Sequence, residues 1–314
     1  MIVTRAPERP PAPPPGGSVV SIGVFDGVHL GHQAILAANR ARAAELGARS
    51  TVVTFETHPK GTLLGRAPRT LTSLEHRLEL FRRAGIEHTV VLAFDAALRE
   101  RSAEQFTLET LVGGLGARAF VLGFDSKFGR DRRGTPELLR GLGHDVQVVD
   151  KVEVAGRAVS STAIREAVEL GDLEGAARML GRPVSVLGTV VQGARRGRGL
   201  GFPTANLDLH HELHPPPGVY AGRATRVGGG PEQRDLPAVA NIGYRPTLAG
   251  QRTSEPTLEV HLLDFEGDLY GCDLEFSFLG GLRGEQRFAG PEQLAAQIAR
   301  DVAAARALLS AEHR

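Results

Sequence analysis

Apolar positions change their period along this chain, and the change divides it. Val19, Val20 and Ile22 begin an apolar, β-branched run that passes through Gly23, Gly27 and Gly31 into Gln33–Leu46, a stretch with the Ala, Leu, Arg and Glu content of a helix. Further strand-like runs follow at Ser50–Phe55, Thr89–Phe94, Ala117–Phe124 and Asp145–Val149. Between them, Leu74, Leu78 and Phe81 recur at i, i+4 and i+7, and Ser102 with Gln105 spells a capping box ahead of Phe106 and Leu111. Strands alternating with helices predict a parallel sheet covered on both faces, a Rossmann-like α/β domain. Helical patterns run to Gly171 and from Asp172 to Leu180, where Gly181 stops the second, and the texture then changes at Arg182 and Pro183. Short strands are predicted at Val186–Val191, Gly218–Thr225, Pro237–Ile242, Thr257–Leu263 and Asp273–Phe278, the spacing of an antiparallel barrel or sandwich. A last amphipathic helix, about Pro291–Leu309, sets Leu294, Ile298, Val302 and Leu309 near one face.

A length of 314 residues suits two domains, expected at 19–182 and 183–314 after a disordered, Pro-rich start at 1–18. With 41% hydrophobic and 23% charged residues both can bury ordinary cores, and a net charge of +1 gives no global attraction to nucleic acid or an anionic membrane. Cys272 is the lone cysteine, so no internal disulfide can form and no Cys/His grouping has zinc spacing. No apolar run reaches membrane-spanning or signal-peptide length, which leads us to expect a soluble, cytoplasmic protein without a membrane partner.

The run from Val19 to His32 reads as strand, tight turn, helix. Unpaired N–H groups and the positive end of the helix dipole stabilise an anion there, and His29 and His32 add donors on one face of the first turn. The same two histidines are equally a satisfied surface pair or the start of a metal site, although no further ligand stands nearby in sequence. The second strand leaves through Thr54, Phe55, Glu56, Thr57, His58 and Pro59, and the fourth through Gly123, Phe124, Asp125, Ser126, Lys127, Phe128 and Gly129, followed by Arg130, Arg132 and Arg133. In parallel sheets such exits face the ligand crevice, whereas arginines beside glycines on their own make an ordinary solvated loop. Ser160, Ser161 and Thr162 open a helix that carries Arg165 one turn on, which suits either plain capping or a second phosphate cradle.

In the second half, Gly193–Asn206 reads GARRGRGLGFPTAN, a loop of glycines and arginines ending in Thr204 and Asn206, two neutral oxygens on one side of an extended segment. Such a pair can hold Mg²⁺ together with water and substrate phosphates, while an isolated RRGRG loop is as well suited to RNA contact. Alternation separates Leu258 and Val260 from Glu259 and His261, so Glu259 is an outward strand carboxylate unless that outer face lines a site.

These motifs carry a resemblance. GVFDGVHLGH is similar to the N-terminal signature of the prokaryotic bifunctional riboflavin kinase/FAD synthetases, whose H-x-G-H element is shared with a wider nucleotidyltransferase superfamily. F-x-x-H-P, G-x-D-x-x-F-G and S-S-T-x-x-R resemble further elements of the same adenylyltransferase domain; Thr57 and Ser126 depart from it where proline and an aromatic are usual. G-R-x-L-G-F-P-T-A-N, the N-I-G-x-x-P-T run at 241–247, Glu259 and D-L-Y-G at 268–271 resemble the riboflavin kinase domain, so the resemblance spans about residues 19 to 307.

What it implies is an α/β nucleotidyltransferase domain followed by a β-barrel kinase domain, converting riboflavin to FMN and FMN to FAD with ATP. His29, His32 and Arg165 would serve adenylylation, with Arg165 on the β and γ phosphates; Gly23, Phe25, Asp26, Gly31, His58, Asp125, Ser160, Ser161 and Thr162 would bind nucleotide or flavin. Glu259 would be the kinase base, Thr204 and Asn206 the Mg²⁺ ligands, and Arg198, Pro203 and Arg283 would edge the substrate pocket. The partners expected are riboflavin, FMN and ATP, with no nucleic acid, on a monomer or weak homo-oligomer. Two competing readings are a working kinase carrying a degenerate nucleotide-binding half, and a barrel that contacts RNA; with 5% aromatic residues and no tryptophan the second lacks stacking platforms.

Overall fold

The β-branched runs of the first half form the strands that their composition predicts. In this computed structural model, which describes residues 1–5, 13–57, 69–192, 202–209, 212–244 and 257–311, the chain separates into two compact units, Met1–Ser161 and Thr162–Arg314. In the first, β1 (Ile2–Arg5), β2 (Ser18–Ile22), β3 (Arg49–Phe55), β4 (His88–Leu92), β5 (Ala117–Gly123) and β6 (Asp145–Val149) make one sheet in the order β1-β4-β3-β2-β5-β6. Every ladder in it is parallel.

Layers of side chains cover both faces, as continuous apolar strands require. Val20, Ile22, Val53, Val90, Phe120 and Leu122 pack with Phe106, Leu111 and Leu139 in one cluster. Val52 and Val91 pack on the other face with Leu36 of α1 (Leu30–Leu46) and with Leu78 and Phe81 of α2 (Leu74–Arg83). Asn39, fully buried on α1, donates through its side-chain amide to Val19 O, Ser21 Oγ and Thr51 O, and so ties the helix to β2 and β3.

Two expectations for this unit need correction. The start is not wholly disordered: Ile2–Arg5 pairs with β4 as an edge strand, because Ile2, Val3 and Thr4 are β-branched and the flank of His88–Val91 is open to them. The Ser102/Gln105 capping box forms, but after α3 (Ala96–Glu100) it opens only the short α4 (Ala103–Gln105), and Phe106–Gly114 continues as a π-helix. The buried Thr107 hydroxyl donates to Ala103 O and competes there for the carbonyl that an α-helical N–H would take. The short α5 (Pro136–Gly141) and the hairpin β7 (Glu153–Val154) with β8 (Arg157–Ala158) complete the unit.

The second unit begins within α6 (Ser161–Leu170) and continues through α7 (Leu173–Leu180), capped by Asp172 and ended by a left-handed Gly181. Then β9 (Val184–Val191), β10 (Ala205–Asp208), β11 (Gly218–Arg226), β12 (Leu236–Gly243), β13 (Thr257–Leu262) and β14 (Asp273–Gly284) close into an antiparallel barrel in the order β10-β13-β12-β11-β14-β9. Inside it the fully buried Ile242, Leu258, Val260, Phe276 and Phe278 meet, and Gly222 makes room, since a Cβ there would lie 2.5 Å from the Phe276 ring. The terminal helix α8 (Pro291–Ala311) covers part of the outer face, where Ala305, Val302 and Leu308 pack on Val219, Ala221 and Val239.

Candidate functional site

Strand order fixes where a ligand can enter the first unit. The order reverses between β2 and β5, and the crevice at such a switch point opens beyond the carboxyl ends of the strands. The exit of β2 is GVFDGVHLGH and the exit of β5 is Gly123, Phe124, Asp125 and Ser126, so the sheet brings together two motifs a hundred residues apart.

The β2 turn is strained. Phe25 and Val28, neither of them glycine, hold φ values of 54° and 40°. Phe25 is buried edge-on against Phe81 and His32, which makes it the hydrophobic anchor of the turn. Asp26 is buried as well: Thr72 donates to its carboxylate through both N–H and hydroxyl, Gly27 N–H donates to Thr72 Oγ1, and Ser161 donates to Asp26 O at 2.9 Å. Both residues thus brace the loop.

His29 caps α1, its Nδ1 accepting from His32 N–H at 3.4 Å. A neutral His29 ring therefore carries its proton on Nε2. The rings of His29 and His32 stack at 3.6 Å, and a Cβ on Gly31 would press the His29 ring at 3.3 Å. No acidic residue occupies the first turn of α1, so its dipole is left for an anion.

Asp125 and Phe124 are exposed at the neighbouring exit, and the Arg130, Arg132 and Arg133 side chains are exposed beyond them. Arg77, 4% exposed, was silent in the sequence; its guanidinium donates to Val24 O, Thr54 Oγ1 and Phe55 O and fastens the exits of β2 and β3 together. Helical spacing alone could not separate it from a surface arginine. Gly23 lies at the end of β2, its N–H donating to Val53 O. Ser160 and Ser161 end this unit, while Thr162 and Arg165 continue the helix in the next. His58 lies outside the described residues.

In the second unit the decisive geometry is register. Asn206 on β10 stands opposite Glu259 on β13, which stands opposite Asn241 on β12. Directly paired residues share a face, so an amide flanks the carboxylate on either side. Leu258 and Val260 point into the barrel while Glu259 and His261 point outward, the alternation that the sequence predicts. Among the described residues no hydrogen bond or ion pair engages the Glu259 carboxylate.

Pro203, Thr204 and Ala205 line a cavity of about 620 Å³ with Val190, Leu262, Phe265 and Asp268, Leu269 and Tyr270, so the P-T-A and D-L-Y-G segments share one wall. That volume is in the range of small-molecule sites. Thr204 and Asn206 offer hard but neutral oxygens, and no group of three or more His, Cys, Asp or Glu is placed to hold a metal among the described residues. Arg283 is engaged elsewhere: Nε and Nη2 donate to Asp301 of α8, with Phe288 beneath the guanidinium at 5.6 Å. Arg198 lies outside the described residues, as do 245–247.

A doubly wound sheet of nucleotidyltransferase type followed by a closed barrel with a terminal helix is the fold class that these two units define. Residues 12–163 match the FAD synthetase family and residues 180–309 the riboflavin kinase family. A bifunctional riboflavin kinase/FMN adenylyltransferase of Pseudomonas fluorescens is 44% identical over 302 residues, 93% of each chain, and that of Escherichia coli K12 is 38% identical over 298, again 93% of each. A Streptococcus pneumoniae crystal structure described as a macrolide-efflux protein superposes with a TM-score of 0.81 at 30% identity, over 98% of this chain and 99% of that one. Among the described residues no helix is long and apolar enough to cross a membrane. This chain belongs to the bifunctional riboflavin kinase/FMN adenylyltransferase family.

Proposed function

We propose a division of labour between two sites on a chain that makes FMN from riboflavin and FAD from FMN. In the barrel unit Glu259 takes the proton of the terminal ribityl hydroxyl as its oxygen bonds to the γ phosphorus of ATP and the bridge to the β phosphate breaks, leaving ADP. An alcohol is a weak nucleophile at neutral pH, and an outward carboxylate between Asn206 and Asn241 is suited to this task. That row of three residues is the observation that carries the reading.

Thr204 and Asn206 fit Mg²⁺ through their hard oxygens; because both are neutral, phosphates would supply the balancing charge. The ion, when bound, neutralises charge on the transferring group. Thr204 orients the phosphates from the cavity wall, which Pro203 also lines, and Asn206 acts beside Glu259; for Arg198 a part in binding the same substrates rests on the family motif alone.

In the first unit a phosphate oxygen of FMN attacks the α phosphorus of ATP and pyrophosphate leaves. The nucleophile is already ionised, so positioning and charge stabilisation suffice. His29, His32 and the N-terminus of α1 serve the phosphates together with Ser160 and Ser161, and Asp125 serves nucleotide or flavin beside Gly23 and Gly31; for Thr162, Arg165 and His58 the reading rests on the family motifs alone. Asp26 and Phe25 serve by shaping the turn. We assign the adenylyltransferase to 19–182, the kinase to 183–314, and a cytoplasmic setting to both.

A chromatographic time course with purified protein and Mg-ATP tests this. Riboflavin yields FMN and then FAD, and FMN alone yields FAD; if FMN stays inert while riboflavin stops at FMN, the first unit has lost its activity.

A further inference from the structure

Thr257, Glu259 and His261 leave the outer face of β13; Thr257 donates to Gly243 O at the strand's start, and of the other two only Glu259 has been given work so far. The other, His261, is half-exposed, two residues further on and on the same face. Its Nδ1 lies 2.8 Å from Pro203 O, and its ring meets Phe202 edge-on at 5.6 Å between centroids. A carbonyl only accepts, so Nδ1 carries the proton and donates. The acceptor belongs to the residue before Thr204, and Thr204 lines the cavity beside Asp268 and Tyr270.

Among the described residues no ladder pairing holds this carbonyl. Pairing of β10 with β13 starts at Ala205, opposite Val260, so Phe202, Pro203 and Thr204 lie ahead of the first paired residue. Pro203 itself has no N–H to offer. Among the described residues the stretch is fixed from one side by the strand that follows and from the other by an imidazole donor and a ring contact. Opposite His261, Val239 packs into the outer cluster beneath α8, which seats the strand that presents the imidazole.

We infer that His261 is a positioning residue for phosphoryl transfer: by donating to the Pro203 carbonyl it sets where the Thr204 hydroxyl meets the phosphates of ATP. It touches neither reactant, and the inference rests on the assignment of Thr204 and Glu259 to the kinase site. A hydroxyl displaced by about an ångström can cost up to about a hundredfold in rate. The nucleotide side of the reaction carries that loss; the riboflavin side does not.

The test compares His261→Phe, which keeps an aromatic ring and removes the donor, with His261→Asn, whose amide can present N–H close to the Nδ1 position. With saturating riboflavin, His261→Phe lowers kcat/KM for ATP about tenfold or more and weakens ADP binding measured by calorimetry, while the KM for riboflavin stays at the wild-type value. His261→Asn recovers most of the loss; both variants keep the wild-type rate of FMN-to-FAD conversion and unfold at the wild-type temperature in thermal melts, which shows that the barrel is folded. Wild-type kcat/KM for ATP in His261→Phe, a loss confined to riboflavin KM, or an Asn variant as impaired as the Phe variant overturns the inference. Thr204→Ala and Glu259→Gln run alongside: if both retain full FMN formation, the site assignment itself fails, whereas their loss beside an unaffected His261→Phe refutes the role of His261 alone.

Discussion

At the scale of single residues, several polar side chains at the sites work on the protein before they work on a ligand. Asn39 is the clearest case, a buried amide that spans β2 and β3 from α1, the helix whose first turn carries His32. Asn39→Leu leaves those acceptors without their donor and is expected to lower stability by about 2 kcal/mol in urea denaturation. FAD formation falls with it, because the tie that aligns the helix is lost. His88 behaves differently. Burial, and then the charge of Arg49, depress its pKa, and Thr4 Oγ1 lies 3.0 Å from Nε2. The unfolded imidazole, titrating near about 6.5, takes up a proton before the folded one does. The stability contribution is therefore intact above that pH and is lost as pH falls from there toward the lower folded value. Thermal melts at a series of pH values should show an acid-side decline that is shallower in His88→Gln; equal slopes would remove His88 as the cause.

At the scale of elements, the pairing of β14 with α8 through Arg283 and Asp301 is the contact most exposed to a single change. Both side chains are largely buried, at 15% and 7% exposure. Asp301→Asn removes one charge and strands the other, at a cost of about 3 kcal/mol, read as a lower denaturation midpoint. The resemblance pointed to Arg283 as a pocket residue, and nothing in the sequence around it names a partner eighteen residues later. The same limit marks what could be read beforehand. Strands such as β9 and β11 announce themselves by apolar, β-branched runs and β13 by alternation; β10 is four residues, Ala-Asn-Leu-Asp, with too little period to register, and β1 is short and runs into a Pro-rich stretch. Candidate residues could be picked out where they sit within one motif, as His29 with His32 and Thr204 with Asn206. Register was not: that Asn206 faces Glu259, or that Arg77 reaches Val24, follows only from how strands and helices fold back on one another.

At the scale of the whole molecule, two chemistries with different demands occupy two units of one chain. The kinase step needs a base and the adenylyl step does not, so the sites should fail separately. His32→Ala is expected to lower FAD formation from FMN by about a hundredfold or more and to leave riboflavin phosphorylation intact, so FMN accumulates. Glu259→Ala is expected to do the reverse, by a factor on the order of a hundred, when each half-reaction receives its own substrate. A folded His32→Ala protein that has lost both activities would refute the division. The two units also differ in when they can be completed during synthesis. The barrel's first strand, β9, has β10 on one side and β14, the last, on the other, so its second flank stays bare until residues 273–284 have left the ribosome. Until that moment the nascent chain carries an unsealed strand edge open to pairing with a neighbour. A message truncated before Asp273 should therefore yield a barrel that clumps rather than a smaller working kinase.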